Sequence, residues 1–270
     1  MIRKYMQDYK TINLKHNRFD IIGDVHGCYD ELMELIHKLG YIKRGKAYFH
    51  PEDRRLISVG DIADKGNKNI ECLNFWINQV NYGGGMWVYG NHCFKFYRYL
   101  IGNKVKLSHG IEKTVSEYNK LSDDDKEIFK DRFIKCYEGR SHYIMLDNKN
   151  LIVVHGCIKE EDIGHFNRGI KTRCLYGDVT GEFDENGKPI RNDWAKEYKG
   201  QPLIVYGHTA VLEAKMINNT IDIDTGCVYG GKLTAFRYPE KTLVQVQGKP
   251  YTEYRGSKKI NFSQLKNEQY

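Results

Sequence analysis

Carboxylates and imidazoles recur in this sequence where short apolar runs stop. Phe19-Asp20-Ile21-Ile22 runs into Gly23-Asp24-Val25-His26-Gly27, Arg55-Leu56-Ile57-Ser58-Val59 into Gly60-Asp61, and Met86-Trp87-Val88-Tyr89 into Gly90-Asn91-His92. Leu151 to Val154 stops at His155-Gly156, and Leu203 to Tyr206 at Gly207-His208. Asp24, His26, Asp61, Asn91, His155 and His208 therefore offer carboxylate, imidazole and amide donors at five run ends, without a thiolate. That chemistry suits a pair of Mn²⁺, Fe or Zn²⁺ ions better than a structural zinc site, which usually takes cysteines.

The runs have the length and β-branched content of buried strands, and helical patterns separate the first three. Cys28 to Leu39 places Leu32, Leu35, Ile36 and Leu39 on one face, with Gly40 just past its end. Ile70, Leu73, Trp76, Ile77 and Val80 form a second such face, with Asn67 or Asn69 able to cap it. This alternation predicts βαβ units, a largely parallel sheet, and ligands gathered at the carboxyl ends of its strands. Residues 103–140 are polar, with a helix start at Ser122-Asp123-Asp124-Asp125 leading into Phe129, Phe133, Cys136 and Tyr137. Lying between two ligand-bearing segments, this insertion reads as a lid, a substrate-facing subdomain or a peripheral helical decoration. Tyr143 to Leu146 and Leu151 to Val154 read as a hairpin, and residues 160–200 as loop-rich. Short runs at 214–217 and 220–224, then 233–238 and 242–246, predict an antiparallel second half.

A chain of 270 residues can bury a sizeable core. No apolar run approaches the roughly 18 residues of a membrane helix, and residues 1–18 lack the apolar segment of a signal peptide. The seven scattered cysteines include no Cys-x-x-Cys, which favours reduced thiols in a cytoplasm. The net charge of +7 permits a phosphorylated partner without the dense basic field of a nucleic-acid coat. Part of it lies in a basic amino-terminal segment, residues 1–18, and a polar basic tail, residues 247–270, both read as solvated. Residues 19–246 are then the folded domain that carries these donors, with 103–140 inserted in it.

In order, GDVHG, GDIADKG, GNHC, the His155-Gly156 pair and GHT resemble the signature of the calcineurin-like metallophosphoesterases. HGIEKTV (109–115), CLYGDVTGEFDENGKPIRNDW (174–194), VYGHT (205–209) and IDTGCVYGGKLTAFRYPE (223–240) are most similar to the phosphatase module of bacterial polynucleotide kinase-phosphatases. Symmetrical dinucleoside tetraphosphatases and phage serine/threonine phosphatases share the core pattern. No Gly-x-x-x-x-Gly-Lys-[Ser/Thr] loop is present, so a kinase or ligase would be a separate partner. The resemblance implies an α/β, four-layer fold: two packed mixed sheets flanked by helices. It also implies two divalent ions, most readily Mn²⁺, with Ni²⁺, Fe or Zn²⁺ as alternatives. Asp24 and His26 would hold one, Asn91, His155 and His208 the other, and Asp61 both. Such a pair supports in-line attack of a bridging hydroxide on a phosphate ester. His92 is the candidate general acid and Asp64 its orienting partner, or else a loop cap.

The chain departs from the pattern at three places. Lys65 stands where the family has a phosphate-gripping arginine, which keeps the charge but loses the bidentate fork. Cys93 replaces a glutamate, and His155-Gly156-Cys157 replaces His-Ala-Gly; both cysteines read as packing residues. A second phosphate-binding cation is expected from Arg173 or Arg168, with Arg173 preferred. Asp224 matches a functional aspartate of the polynucleotide-repair relatives and would orient His208 or the substrate. The substrate expected is a nucleic-acid end or nucleotide bearing a 2′-phosphate, 3′-phosphate or 2′,3′-cyclic phosphate. A serine/threonine protein phosphatase, a dinucleoside tetraphosphatase and a metal-dependent binding module are the alternatives.

Overall fold

The computed structural model describes residues 9–12, 18–185, 187–254, 260 and 262. Most of the basic residues assigned to the two tails, Arg3, Lys4, Lys15, Arg255, Lys258, Lys259 and Lys266, lie outside the described residues. Chain order begins with β1 (Tyr9–Ile12), β2 (Phe19–Ile22), α1 (Tyr29–Lys38), the hairpin β3 (Ile42–Arg44) and β4 (Ala47–Phe49), β5 (Arg55–Ser58), α2 (Asn69–Tyr82) and β6 (Met86–Trp87). Then come α3 (Asn91–Leu100), α4 (Ile111–Asn119), α5 (Asp123–Glu138), β7 (Tyr143–Leu146), β8 (Leu151–Val154) and α6 (Arg168–Tyr176). The hairpin β9 (Val179–Phe183) and β10 (Pro189–Arg191), α7 (Trp194–Glu197) and β11 (Leu203–Tyr206) follow. β12 (Met216–Ile217), β13 (Thr220–Asp222), β14 (Lys232–Tyr238) and β15 (Thr242–Gln247) complete the order.

Two mixed sheets form, ordered β15-β14-β2-β5-β6 and β1-β7-β8-β11-β13-β12. Strand alternation explains why they pack into four layers, because successive side chains point to opposite faces. Ile21, Ile57 and Val59 meet Ile144, Val153, Val205 and Ile221 between the sheets. Their neighbours Ile22 and Leu56 face outward into a core with α1 to α5. Ile152, Val154 and Ile204 face the other way, against α6 and α7. All these positions are buried, so the four-layer α/β architecture rests on residues that are apolar on both faces.

Several local expectations are revised. The second half is not simply antiparallel: β11 lies parallel to both β8 and β13, and the two later hairpins join different sheets. Residues 9–12, read as tail, pair in parallel with β7. The stretch 160–200 contains α6, β9, β10 and α7. Asn69 does not cap α2; Glu117 does, receiving the backbone N–H groups of Asn69 at 2.6 Å and Ile70 at 3.0 Å. Ser122 caps α5 as predicted, its Oγ accepting from Asp125 N at 3.2 Å. Residues 103–140 supply two helices, and Ile111, Val115, Phe129, Phe133, Cys136 and Tyr137 enter the same core as α1 and α2. Among the described residues, no helix is long and apolar enough to cross a membrane. All seven cysteines are buried and unbridged.

Candidate active site

The predicted ligands sit on loops that follow β2, β5, β8 and β11, and on the first residue of α3 after β6. Their backbone is unusual. His26, Asp61, Asp64, Lys65 and His208 all have positive φ, at 49°, 39°, 77°, 68° and 76°. Such angles cost a non-glycine residue about 1–3 kcal/mol, so the surrounding contacts must impose them. His26 N donates to Asp61 O at 2.9 Å and Gly66 N to His26 O at 2.8 Å, tying the two loops together. Glycine is required where backbone touches carboxylate: a Cβ on Gly90 would lie 2.2 Å from Asp61 Oδ1, and one on Gly207 2.2 Å from Asp24 Oδ1.

Asp61 is the hub. It shares one close group with His155 and His208 and another with His26 and His92. His155 Nε2 lies 3.2 Å from Asp61 Oδ2, 3.0 Å from Asn91 Oδ1 and 3.1 Å from His208 Nδ1. The other nitrogen, Nδ1, lies 3.0 Å from Val59 O, and His26 Nδ1 lies 3.0 Å from Ala63 O. If both donate to those carbonyls, their Nε2 lone pairs turn toward Asp61. His26 Nε2 is 3.9 Å from Asp61 Oδ2 and 4.0 Å from Asp24 Oδ2.

Lone pairs and carboxylates converging in buried space need a cation. Burial, then Asp224, Asp61 and Asp222, push the Asp24 carboxyl well above its ordinary range. Burial opposes the charged form of Asp61, but His155 foremost, with His92 and His26, holds its carboxyl well below that range. Burial lowers His26, helped by Lys65, and lowers His208, helped by His155 and Arg191, so both present unprotonated nitrogen at neutral pH. This donor set fits divalent ions shared at Asp61.

Beside the hub, His92 Nδ1 lies 2.7 Å from Asp64 Oδ2, and Asp64 has no exposed surface. Thr114 of α4 fixes that carboxylate, donating to Oδ1 at 2.5 Å and accepting from Asp64 N at 3.1 Å. Sequence reasoning missed Thr114, although it lies inside the HGIEKTV segment. Lys65 Nζ stands 2.8 Å from His26 Nε2 and 5.4 Å from the Tyr229 ring centroid. Burial opposes its charge, but Tyr229, Asp61 and Asp224 raise its pKa on balance.

Arg173 is engaged elsewhere, donating to Asp162 at 2.8 Å from Nε and 2.5 Å from Nη2. Among the described residues, the guanidinium that touches the donor cluster is Arg191, whose Nη2 lies 3.2 Å from His208 Nε2 while Nε donates to Tyr176 O at 2.7 Å. No spacing rule singles it out; it is delivered by the β9–β10 hairpin. Asp224 lies just past β13 and accepts from Gly226 N at 3.1 Å, with its charge acting on Asp24. Cys93 Sγ accepts from Ile62 N at 3.4 Å, and burial pushes the Cys93 and Cys157 thiols up, as packing residues require.

The profile of the family described as calcineurin-like phosphoesterase matches residues 17–218. The chain is a calcineurin-like phosphoesterase. It is 49% identical over 229 residues to the asymmetrical bis(5′-nucleosyl)-tetraphosphatase PrpE of Oceanobacillus iheyensis, covering 85% of this chain and 92% of the relative. The Bacillus subtilis protein of the same name is 48% identical, over 88% of this chain and 98% of its own length. In fold, a solved structure provisionally described as a diadenosine tetraphosphatase superposes with a TM-score of 0.64 at 21% identity, covering 90% of this chain and 99% of its own. A serine/threonine phosphatase from Saccharomyces cerevisiae gives 0.54 at 13% identity, over 96% of this chain and 87% of its own, and shares the architecture alone.

The metallophosphoesterase expectation holds, and the chain is a hydrolase of a family that implies divalent metal ions. The first-preferred substrate, a nucleic-acid end or nucleotide bearing a 2′-, 3′- or cyclic phosphate, is not what the relatives are named for. The relatives that span most of the chain carry the name of the dinucleoside tetraphosphatase alternative instead.

Proposed function

We propose that this phosphoesterase cleaves dinucleoside tetraphosphates asymmetrically, releasing a nucleoside monophosphate and a nucleoside triphosphate. One observation carries the reading: near-half identity to asymmetrical tetraphosphatases over 85% of the chain and 92% of the relative, well beyond the ligand motifs themselves. The site's chemistry is compatible with it. Asp24 and His26 would hold one ion, Asn91, His155 and His208 a second, and Asp61 both. Divalent ions held there would supply Lewis acidity toward a phosphoryl oxygen and would acidify water. Lys65 and Arg191 then grip non-bridging oxygens of the polyphosphate, as charge-assisted donors on either side of the hub. His92 donates a proton to the departing group, and buried Asp64, locked by Thr114, keeps its ring aimed and its charge compensated.

Incubating diadenosine tetraphosphate with the Mn²⁺-supplied protein and resolving products by anion exchange tests the reading. AMP and ATP in equal amounts are expected. ADP as the sole product would make the cleavage symmetrical, and faster hydrolysis of a 2′- or 3′-phosphorylated oligonucleotide or a phosphopeptide would remove the proposal.

A further inference from the structure

The carboxyl-terminal side of the domain returns to the active-site rim. Pro250 bridges to Tyr229 in antiparallel fashion, and Tyr251 N donates to Val228 O at 2.9 Å. The Tyr251 hydroxyl reaches Glu31 at 3.1 Å. Farther on, Phe262 is 3% exposed and fills space that two glycines leave open: a Cβ would meet its ring at 2.4 Å from Gly226 and 2.8 Å from Gly231. Those glycines follow Asp224, so the returning segment is seated on the loop that carries a site carboxylate.

This return creates an aromatic corner. Tyr229, Tyr254 and Phe262 have ring centroids 5.0, 5.7 and 5.3 Å apart. Tyr254 meets Tyr229 at 78° and Phe262 at 77°, so neither ring stacks parallel on it, and Tyr254 stays partly exposed. A cavity of about 420 Å³ lies beside the corner, lined by Tyr229, Tyr251, Tyr254 and Phe262 among others. Its wall adjoins the phosphate-binding side, since Lys65 Nζ stands over the Tyr229 ring and next to His26. The Tyr254 phenol also feels the charges of Asp224, Lys65 and Arg191.

A ligand seated here would be flat, apolar on its faces and joined to an anion that reaches Lys65. We propose that this cavity is a nucleobase subsite, with Tyr254 as its stacking platform, for a nucleoside whose phosphates lie across the metal-ligand cluster. The choice of a nucleobase rests on the tetraphosphatase reading. Cavities of this size suit small ligands, and aromatic side chains accept any base by stacking.

The test compares AMP with ribose 5-phosphate, which differ by the base alone, in calorimetric titrations of the full chain supplied with Mn²⁺. Stacking predicts that AMP binds roughly 5- to 150-fold tighter. Tyr254→Leu keeps an apolar side chain against Tyr229 and Phe262 but removes the π-face, and should bring the ratio close to one. Tyr254→Phe should keep it, and Tyr254→Trp should raise it. Equal affinities in the wild-type chain, or a ratio unchanged by the Leu substitution, would overturn the subsite; if the Leu protein fails to fold, an unchanged ratio in the Trp variant does the same. The two proposals fail separately. A wild-type preference for AMP that collapses with Tyr254→Leu supports the subsite even if diadenosine tetraphosphate is not cleaved, whereas cleavage without that preference leaves only the tetraphosphatase reading.

Discussion

Asp64→Asn isolates the role assigned to His92. Asp64 is wholly buried, with one oxygen 2.7 Å from His92 Nδ1 and the other receiving the Thr114 hydroxyl at 2.5 Å. Asparagine has the same shape, and Thr114 Oγ1 already accepts from Asp64 N at 3.1 Å, so the hydroxyl can turn to accept again. The fold should survive while the charge is lost. A charge-assisted hydrogen bond contributes about 1.5–3 kcal/mol and a neutral one about 0.5–1.5, so the proton-donating form loses about 1–1.5 kcal/mol, or roughly 5- to 12-fold in rate. His92→Ala removes the donor and should cost roughly 10²- to 10⁴-fold. Both losses should depend on the leaving group. Measuring kcat for aryl phosphates of decreasing phenol acidity, and then an alkyl phosphate, should show the deficits growing as the leaving group becomes more basic. A nucleotide leaving group, being an acidic phosphate, should fall near the p-nitrophenyl end. The same deficit for every leaving group, or a larger one in Asp64→Asn than in His92→Ala, would refute this role for the pair.

Asp61→Ala removes the carboxylate common to both donor groups and should abolish binding of the ion pair; metal analysis after desalting would refute the shared-ligand reading if the wild-type content remained. Chelation should abolish turnover, and Mn²⁺ or Ni²⁺ should restore it better than Mg²⁺, which binds imidazole poorly; full activity in excess chelator would end the two-metal account. Metal occupancy should persist as pH falls to about 6.5, the ordinary imidazole value, and decline only below it. The sign follows from His26 and His208, whose lowered pKa values weaken proton competition for the ligand nitrogens. Loss of metal between neutral and mildly alkaline pH, measured by equilibrium dialysis, would contradict it. Away from the site, Asp20 has no exposed surface and accepts from Arg54 at 3.1 Å, Arg237 at 3.0 Å and Tyr41 at 3.0 Å. Asp20→Ala removes the fully buried carboxylate partner of Arg54, leaving Glu240, and should cost about 1.5–3 kcal/mol in urea unfolding. A cost below about 1 kcal/mol would show that Glu240, which also binds Arg54 at 2.8 Å, suffices alone.

The ligand candidates were legible because each depends on local pattern. An apolar run, a glycine and a donor are adjacent in sequence, and their strand ends come together in any sheet that buries those runs. Alternation within the runs likewise encodes two faces: Ile21 and Ile22, or Ile152 and Val153, carry apolar groups for different cores. Residues 103–140 were less readable, since Thr114 and Glu117 look like ordinary polar helix positions until α4 packs beside the Asp64 loop and the start of α2. β1 was hidden in a basic segment, because an edge strand is specified by the partner it pairs with rather than by its own pattern. Legible in the sequence alone were the candidate donors, the strand ends that present them and the superfamily they resemble, all of which are encoded by neighbours along the chain. Tertiary structure decided that Arg191 rather than Arg173 touches the cluster, that Thr114 locks Asp64, and that Tyr254 returns to the rim. Those choices belong to side chains whose partners lie far away in sequence, where burial and through-space charge, rather than spacing, select the contact.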